Sequence, residues 1–214
     1  MSLSICHLIN RRIGPLCVKQ EEHINRFNSL NKVMASMPDL YDAGKTATPE
    51  VIQSLRRDFQ KSWIISSTSV SYAHDNLEAV ITHYFGSTVV IPNNVKIIVP
   101  DFSNSPTLDK VLSTEEGIIY LQTLFNTIDD AETIKNVLKR LSGKSSESTI
   151  LWTPNQNNRI SNKDRAFGLS YYNRFGMFRV DCINTVYIGR SREVLDNPLG
   201  TNTHNASAGN RTQI

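Results

Sequence analysis

No apolar run in this chain approaches the roughly 18 residues that a membrane-spanning helix needs. The segment 1–10 also lacks the basic start and long apolar stretch of a secretory signal. Cysteine is scarce, with Cys6, Cys17 and Cys182 far apart, and no pair has the short spacing of a metal clip or redox motif. The expectation is buried free thiols in a reducing, cytoplasmic setting. His7 stands beside Cys6 but would point to the other face of a strand, so the pair does not make a catalytic thiol. The ten glycines are scattered. They form neither a phosphate-cradling loop nor a dinucleotide fingerprint, and no cofactor is expected. No serine sits in a G-x-S-x-G elbow. Neither sign of charge dominates: 23 basic residues face 20 acidic ones, a net of +3. Such a balance demands no nucleic-acid partner. Two glycosylation sequons, at Asn205 and Asn210, carry meaning only in a secreted protein.

What is present is enough for a core. The chain has 214 residues, 39% of them hydrophobic and 8% aromatic. That composition excludes a wholly disordered chain, and the length suits one domain. The organisation expected is a single mixed domain over 1–195 and a polar, flexible tail over 196–214. Asn, Ser and Thr are abundant, so much of the surface must be neutral and polar, as befits a protein that assembles.

Periodicity predicts helices over 21–37, with Ile24, Phe27, Leu30 and Met34 at helical spacing, and from Thr48-Pro49-Glu50 onward, with Ile52, Leu55, Phe59 and Trp63 as its apolar stripe. Pro38 is expected to stop the first helix, leaving 39–47 as a loop. A short helix is predicted over 75–85. A helical hairpin follows, opened by a capping box at Ser113 and Glu116 and closed at Gly143, with Asp129 and Asp130 at the start of its second member. Strand patterns cover 3–9, 64–72, 88–91, 95–99 and 149–153, with Pro92-Asn93-Asn94 read as a hairpin turn. Three more strand-like runs, 166–172, 177–183 and 185–190, suggest a closing antiparallel β-meander. The fold class expected is α+β, helix-rich in the first two thirds. An α/β sheet with a mixed edge is the alternative.

Three groups carry side chains suited to chemistry. His74, Glu78 and His83 are the only compact His and acid set, but at helical spacing His83 falls off the face shared by the other two, and no metal is expected. Asp101 follows an apolar run, where open sheets often place catalytic groups. The surrounding Ser and Pro residues equally suit a turn. Asp129-Asp130 fits a helix start, where acids favour the dipole. No catalytic residue is therefore assigned. A hydrolase or transferase centred on Asp101 with one of the histidines stands as the enzymatic alternative.

The most informative segment is 159–193. Seven basic residues, six of them Arg, outnumber three acidic ones there, for a net of +4, while residues 1–158 sum to −1. Strand alternation puts Phe167, Leu169, Tyr171, Phe178, Val180, Cys182, Val186 and Ile188 on a core face. It puts Ser170, Tyr172, Arg179, Asp181 and Tyr187 opposite. Tyr172, Arg174, Arg179, Tyr187 and Arg190 are the candidate interface residues, because Tyr and Arg are enriched at protein contacts and also stack on bases. The leading expectation is a non-enzymatic assembly or interaction protein that contacts protein partners or itself and does not contact membrane. It could be a structural part of a large particle such as a virion. Binding of RNA or single-stranded DNA through the basic sheet is the runner-up.

Overall fold

The structure is a computed structural model that describes residues 20–61, 63–72, 78–85, 91–98, 106–152, 163–172, 175–184, 189–190 and 193–194. The expected strand over 3–9, Cys6, Cys17, His74, Asp101 and the tail over 196–214 lie outside these residues. Helices and a mixed sheet together make the fold α+β.

α1 (Gln20–Ser29) ends earlier than its apolar spacing predicts. Asn31 adopts φ 53°, a left-handed turn that Asn tolerates, and Met34 then belongs to the short strand β1 (Val33–Met34) rather than to the helix. The expected loop after Pro38 is instead α2 (Met37–Thr46). Ser36 accepts the Asp39 N–H, and the Asp39 carboxylate accepts the Ser36 N–H. Pro38 falls within the first turn, where its missing N–H costs nothing. α3 (Pro49–Lys61) starts where Thr48-Pro49-Glu50 predicts and buries Ile52, Leu55 and Phe59. Trp63 leaves this stripe and opens β2 (Trp63–Tyr72).

The expected helix over 75–85 is β3 (Glu78–Phe85), and the expected hairpin turn at Pro92 is the interior of one strand, β4 (Ile91–Ile98). The two pair antiparallel from Glu78↔Ile98 to Phe85↔Ile91. Alternation explains the correction: Ala79 and Ile81 are buried while Glu78 is exposed and Val80 half-buried, a period of two that an 11-residue helical window hides. α4 (Leu108–Leu112) and α5 (Glu115–Phe125) follow. The cap of α5 is Thr114, one residue after the predicted Ser113, and it accepts the Gly117 N–H. α6 (Ala131–Ser142) is capped by Asp130 and closed by Gly143 at φ 73°, as the sequence predicts.

β5 (Thr149–Leu151), β6 (Lys163–Tyr172), β7 (Met177–Asn184), β8 (Gly189–Arg190) and β9 (Glu193–Val194) complete the chain. Among the described residues the large sheet runs β4-β3-β2-β6-β7-β5. It is curled into half a barrel. β6 and β7 form the expected antiparallel pair, but β5 runs parallel to β7. β8 pairs parallel with β2 rather than continuing a meander. β1 pairs with β9.

The helices α2, α3, α5 and α6 fill the inner side of the sheet, where Leu55, Ile64, Tyr120, Leu121, Phe167 and Phe178 have almost no exposure. A smaller cluster of Phe27, Met34, Ile65 and Ala166 lies apart, where α1 and β1 pack against β2. Between the two, the register of β2 against β6 shifts between Ile65 and Ser69. The serine-rich stretch Ser66-Ser67-Thr68 supplies the bonds that this irregularity takes from the ladder. Ser66 Oγ donates to the Phe167 carbonyl at 2.9 Å, and Gln20 Nε2 donates to the carbonyls of Ser66 and Thr68 at 2.6 and 2.9 Å.

Two arginines tie the helix ends together. Arg140 of α6 donates to the carbonyls of Gly44 and Ala47 at the end of α2, and Arg56 of α3 donates to the Arg140 and Leu141 carbonyls at the end of α6. Cations there meet the negative end of the helix dipole as well as unsatisfied carbonyls. Gly44 allows the close approach, since a Cβ on it would stand 2.8 Å from Val137 Cγ1. Arg140→Met is expected to cost about 2–3 kcal/mol by urea unfolding, because it strands carbonyls that had charged donors. Arg140→Lys should recover part of that loss.

Candidate functional site

On the outer face of β6 and β7 the cross-strand partners are Gly168↔Asp181, Ser170↔Arg179 and Tyr172↔Met177. Phe178 and Val180 point inward, at 0% and 1% exposure, as the alternation read from the sequence has it, while Ser170, expected on the open face, is itself buried. Phe175 and Arg179 lie two residues to either side of Met177, the partner of Tyr172, and therefore flank the tyrosine. The Phe175 ring stacks on Tyr172, with centroids 4.9 Å apart and planes at 30°. The Arg179 guanidinium carbon lies 4.4 Å from the Tyr172 centroid, a cation–π contact. Asp181 ends the row, its carboxylate 3.7 Å from Arg179. The result is a continuous line, Phe175, Tyr172, Arg179, Asp181, on one sheet face.

The line is pre-assembled and partly open. Phe175 is 61% exposed and Tyr172 36%. Gly176, at φ 64°, turns the chain back after Phe175 and allows β7 to begin at once. The sequence reading missed Phe175, although a large aromatic in a four-residue turn between two strands is itself a signal, since turns ordinarily carry small polar residues.

Of the five predicted residues, Tyr172 and Arg179 are brought into contact. Arg174 and Tyr187 lie outside the described residues. Arg190 belongs to β8, and its backbone pairs with Ile64 of β2. In the sheet β2 and β6 lie between β8 and β7, because the third run leaves the expected meander.

The histidine and acid candidates go elsewhere. Glu78 and His83 share a strand, and an odd spacing sends them to opposite faces. His83 is fully buried: its ring contacts Thr68 Oγ1 at 3.0 Å and the Thr123 carbonyl at 3.0 Å. Asp130 caps α6, accepting the Thr133 N–H at 2.8 Å, which holds its carboxyl below the ordinary value. Asp129 accepts from Tyr41 Oη and Lys45 Nζ, each at 2.8 Å. Burial opposes its ionisation, but these donors outweigh it and the carboxyl stays below the ordinary value. Burial, with the Asp129 contact, pushes the Tyr41 phenol far up. Both partners are thus locked in one protonation state near neutrality, which suits a structural bond and not proton transfer. Among the described residues no group of three His, Cys, Asp or Glu side chains could hold a metal, and no helix is long and apolar enough to cross a membrane.

Comparison with protein-family models, with curated proteins and with solved structures found no match to this chain. Its function has to be read from its own surface.

Proposed function

We propose that this is a non-enzymatic interaction or assembly protein and that the Phe175–Tyr172–Arg179 row is a contact surface for a protein partner. The supporting observation is the exposed aromatic stack with an arginine laid against it. Leaving a Phe ring 61% open to water forgoes the burial it would gain in a core. Aromatic and Arg side chains of this kind are the usual anchors of protein interfaces. Membership of a large particle, such as a virion, is the fuller form of this reading.

Binding of single-stranded nucleic acid is favoured by one feature, the open Phe175 ring, on which a base would stack. Against it, Arg179 already faces Tyr172 and Asp181, so the row offers no unneutralised cation to a phosphate.

The test is capture of partners from the native source by the wild-type chain and by a Tyr172→Ala, Phe175→Ala, Arg179→Ala triple variant. The variant is expected to lose the partner and to stay folded with a modestly lowered melting curve, since Phe175 and Tyr172 are exposed and Arg179 is half-buried. A partner retained by the variant would remove the row from the interface. Oligonucleotide binding that the variant loses, and that weakens steeply with salt, would shift the reading to nucleic acid.

A further inference from the structure

We infer that two copies of this chain pair along the outer edge of β4, joining their sheets about a two-fold axis. The two ends of the sheet differ. At β5 the outer edge is occupied, since the Leu151 N–H donates to the Pro106 carbonyl and Thr107 bridges Ile150. At β4, among the described residues, the only strand partner is β3.

The direction of the free groups follows from Pro92. It has no N–H, and within a sheet proline takes the edge-facing positions. Alternation then turns the main-chain groups of Asn94, Lys96 and Ile98 outward as well. Thr82 and Asn94 agree: they are directly opposite, and their side chains bond at 2.8 Å, as the closer spacing of a non-hydrogen-bonded pair allows.

Beside this edge, on the helix side, a groove of ≈ 540 Å³ is lined by Val95, Ile119 and Ile128. Ile119 is 48% and Ile128 96% exposed. Among the described residues lining it, the charged ones are Lys45 and Asp129, and they are already paired at 2.8 Å. That neutrality suits a second copy. Across a two-fold axis a patch meets its own copy, so a patch of one sign would repel itself, and this one does not. An antiparallel edge is also complementary to itself when reversed.

Centring the pair on Val95 sets Asn94 opposite Lys96 of the second copy, so the two Lys96 residues are diagonal rather than direct neighbours. Val95 then meets its own equivalent, and the Ile119 and Ile128 side chains of both copies close over it. Pro92 withholds one donor at each end, which confines the pairing to the middle of the strand. This surface is separate from the Phe175–Tyr172–Arg179 row.

Sedimentation velocity over a concentration series should show a dimer. Ile128→Asp, at an open position that cannot unfold the chain, should raise the dimer dissociation constant about tenfold or more. Lys96→Pro, which removes an outward donor and leaves the β3 ladder alone, should do the same. Val95→Cys should form a disulfide between its two copies, mapped by mass spectrometry, and Ile97→Cys should not. The triple variant of the aromatic row should remain dimeric, so failure of either surface can be told from failure of the other. A wild-type monomer at every concentration would overturn the inference. So would a dimer that tolerates Ile128→Asp and gives no crosslink through position 95.

Discussion

Phe178→Ala is expected to lower the free energy of unfolding by about 3–5 kcal/mol, the cost of a cavity where a buried aromatic stood. The ring has no exposure and sits edge-on to Phe59 at 5.3 Å and to Tyr171 at 5.5 Å. It therefore joins α3 to both strands of the β6–β7 pair, and each neighbour would lose contacts that cannot be replaced by a small shift. Domains of this size are stable by only about 5–15 kcal/mol, so the variant should forfeit a large part of the total. Phe178→Leu keeps much of the volume and should cost about 1–1.5 kcal/mol. Urea unfolding at neutral pH, with unchanged slope, measures both. The comparison with Tyr172→Ala is the informative one, because Tyr172 lies on the other face of the same pair. If Tyr172→Ala unfolds the protein and Phe178→Ala does not, the register of the pair is shifted by one residue and the proposed contact face is the core face.

Legibility in the sequence followed the length and isolation of each pattern. α3 and α6 could be read from their caps and apolar stripes, since Thr48-Pro49, Asp130 and Gly143 act locally and their effect does not depend on distant packing. The inward and outward faces of β6 and β7 were legible for the same reason. β3 and β4 were not. Val80, Ile81 and Tyr84 satisfy helical spacing by chance, and only the ladder to β4 makes 78–85 a strand. Pro92-Asn93-Asn94 is turn chemistry that the sheet edge overrides, because proline is tolerated where its missing donor faces outward. α2 is hidden because Pro38 has the look of a helix stop, whereas Ser36 and Asp39 mark it as a start. Of the candidate site, Tyr172 and Arg179 came from alternation. Phe175 and the departure of Arg190 came from the turn and from the β2–β8 pairing, which residue spacing does not encode.

Stability is expected to fall as the pH is lowered from about 6.5 to about 4, because His83 is buried in its neutral form. The Thr123 carbonyl can only accept, so Nε2 carries the proton and donates to it. Nδ1 is then the acceptor for the Thr68 hydroxyl, whose oxygen in turn accepts the Met37 N–H at 2.9 Å. The chain of bonds from α2 through β2 and β3 to α5 is complete with a neutral ring, and a second ring proton has no place in it. Burial lowers the pKa from 6.5 to about 4, partly offset by the Thr123 bond. The sign follows from linkage: the unfolded chain binds a proton below about 6.5 that the folded chain refuses until about 4, so acid favours unfolding across that window. A shift of this size corresponds to about 3 kcal/mol, fully present above the upper limit and lost at the lower one. The lowered carboxyls of Glu50, Asp109, Asp129 and Asp130 act in the same direction, from about a unit above their ordinary values of 4.5 and 3.8 downward, so the upper part of the window belongs to the histidines alone. His23, half-buried in α1, is also lowered by burial and adds a smaller slope, which His23→Gln removes. Unfolding free energies of His23→Gln and of His23→Gln with His83→Asn, measured from pH 8 to pH 4, separate the two. The second variant should be less stable at pH 8 and nearly flat down to about pH 5.5, below which the lowered carboxyls bend both curves alike. An equal acid slope in both would mean that His83 is protonated in the folded protein and that the bond chain runs in another direction.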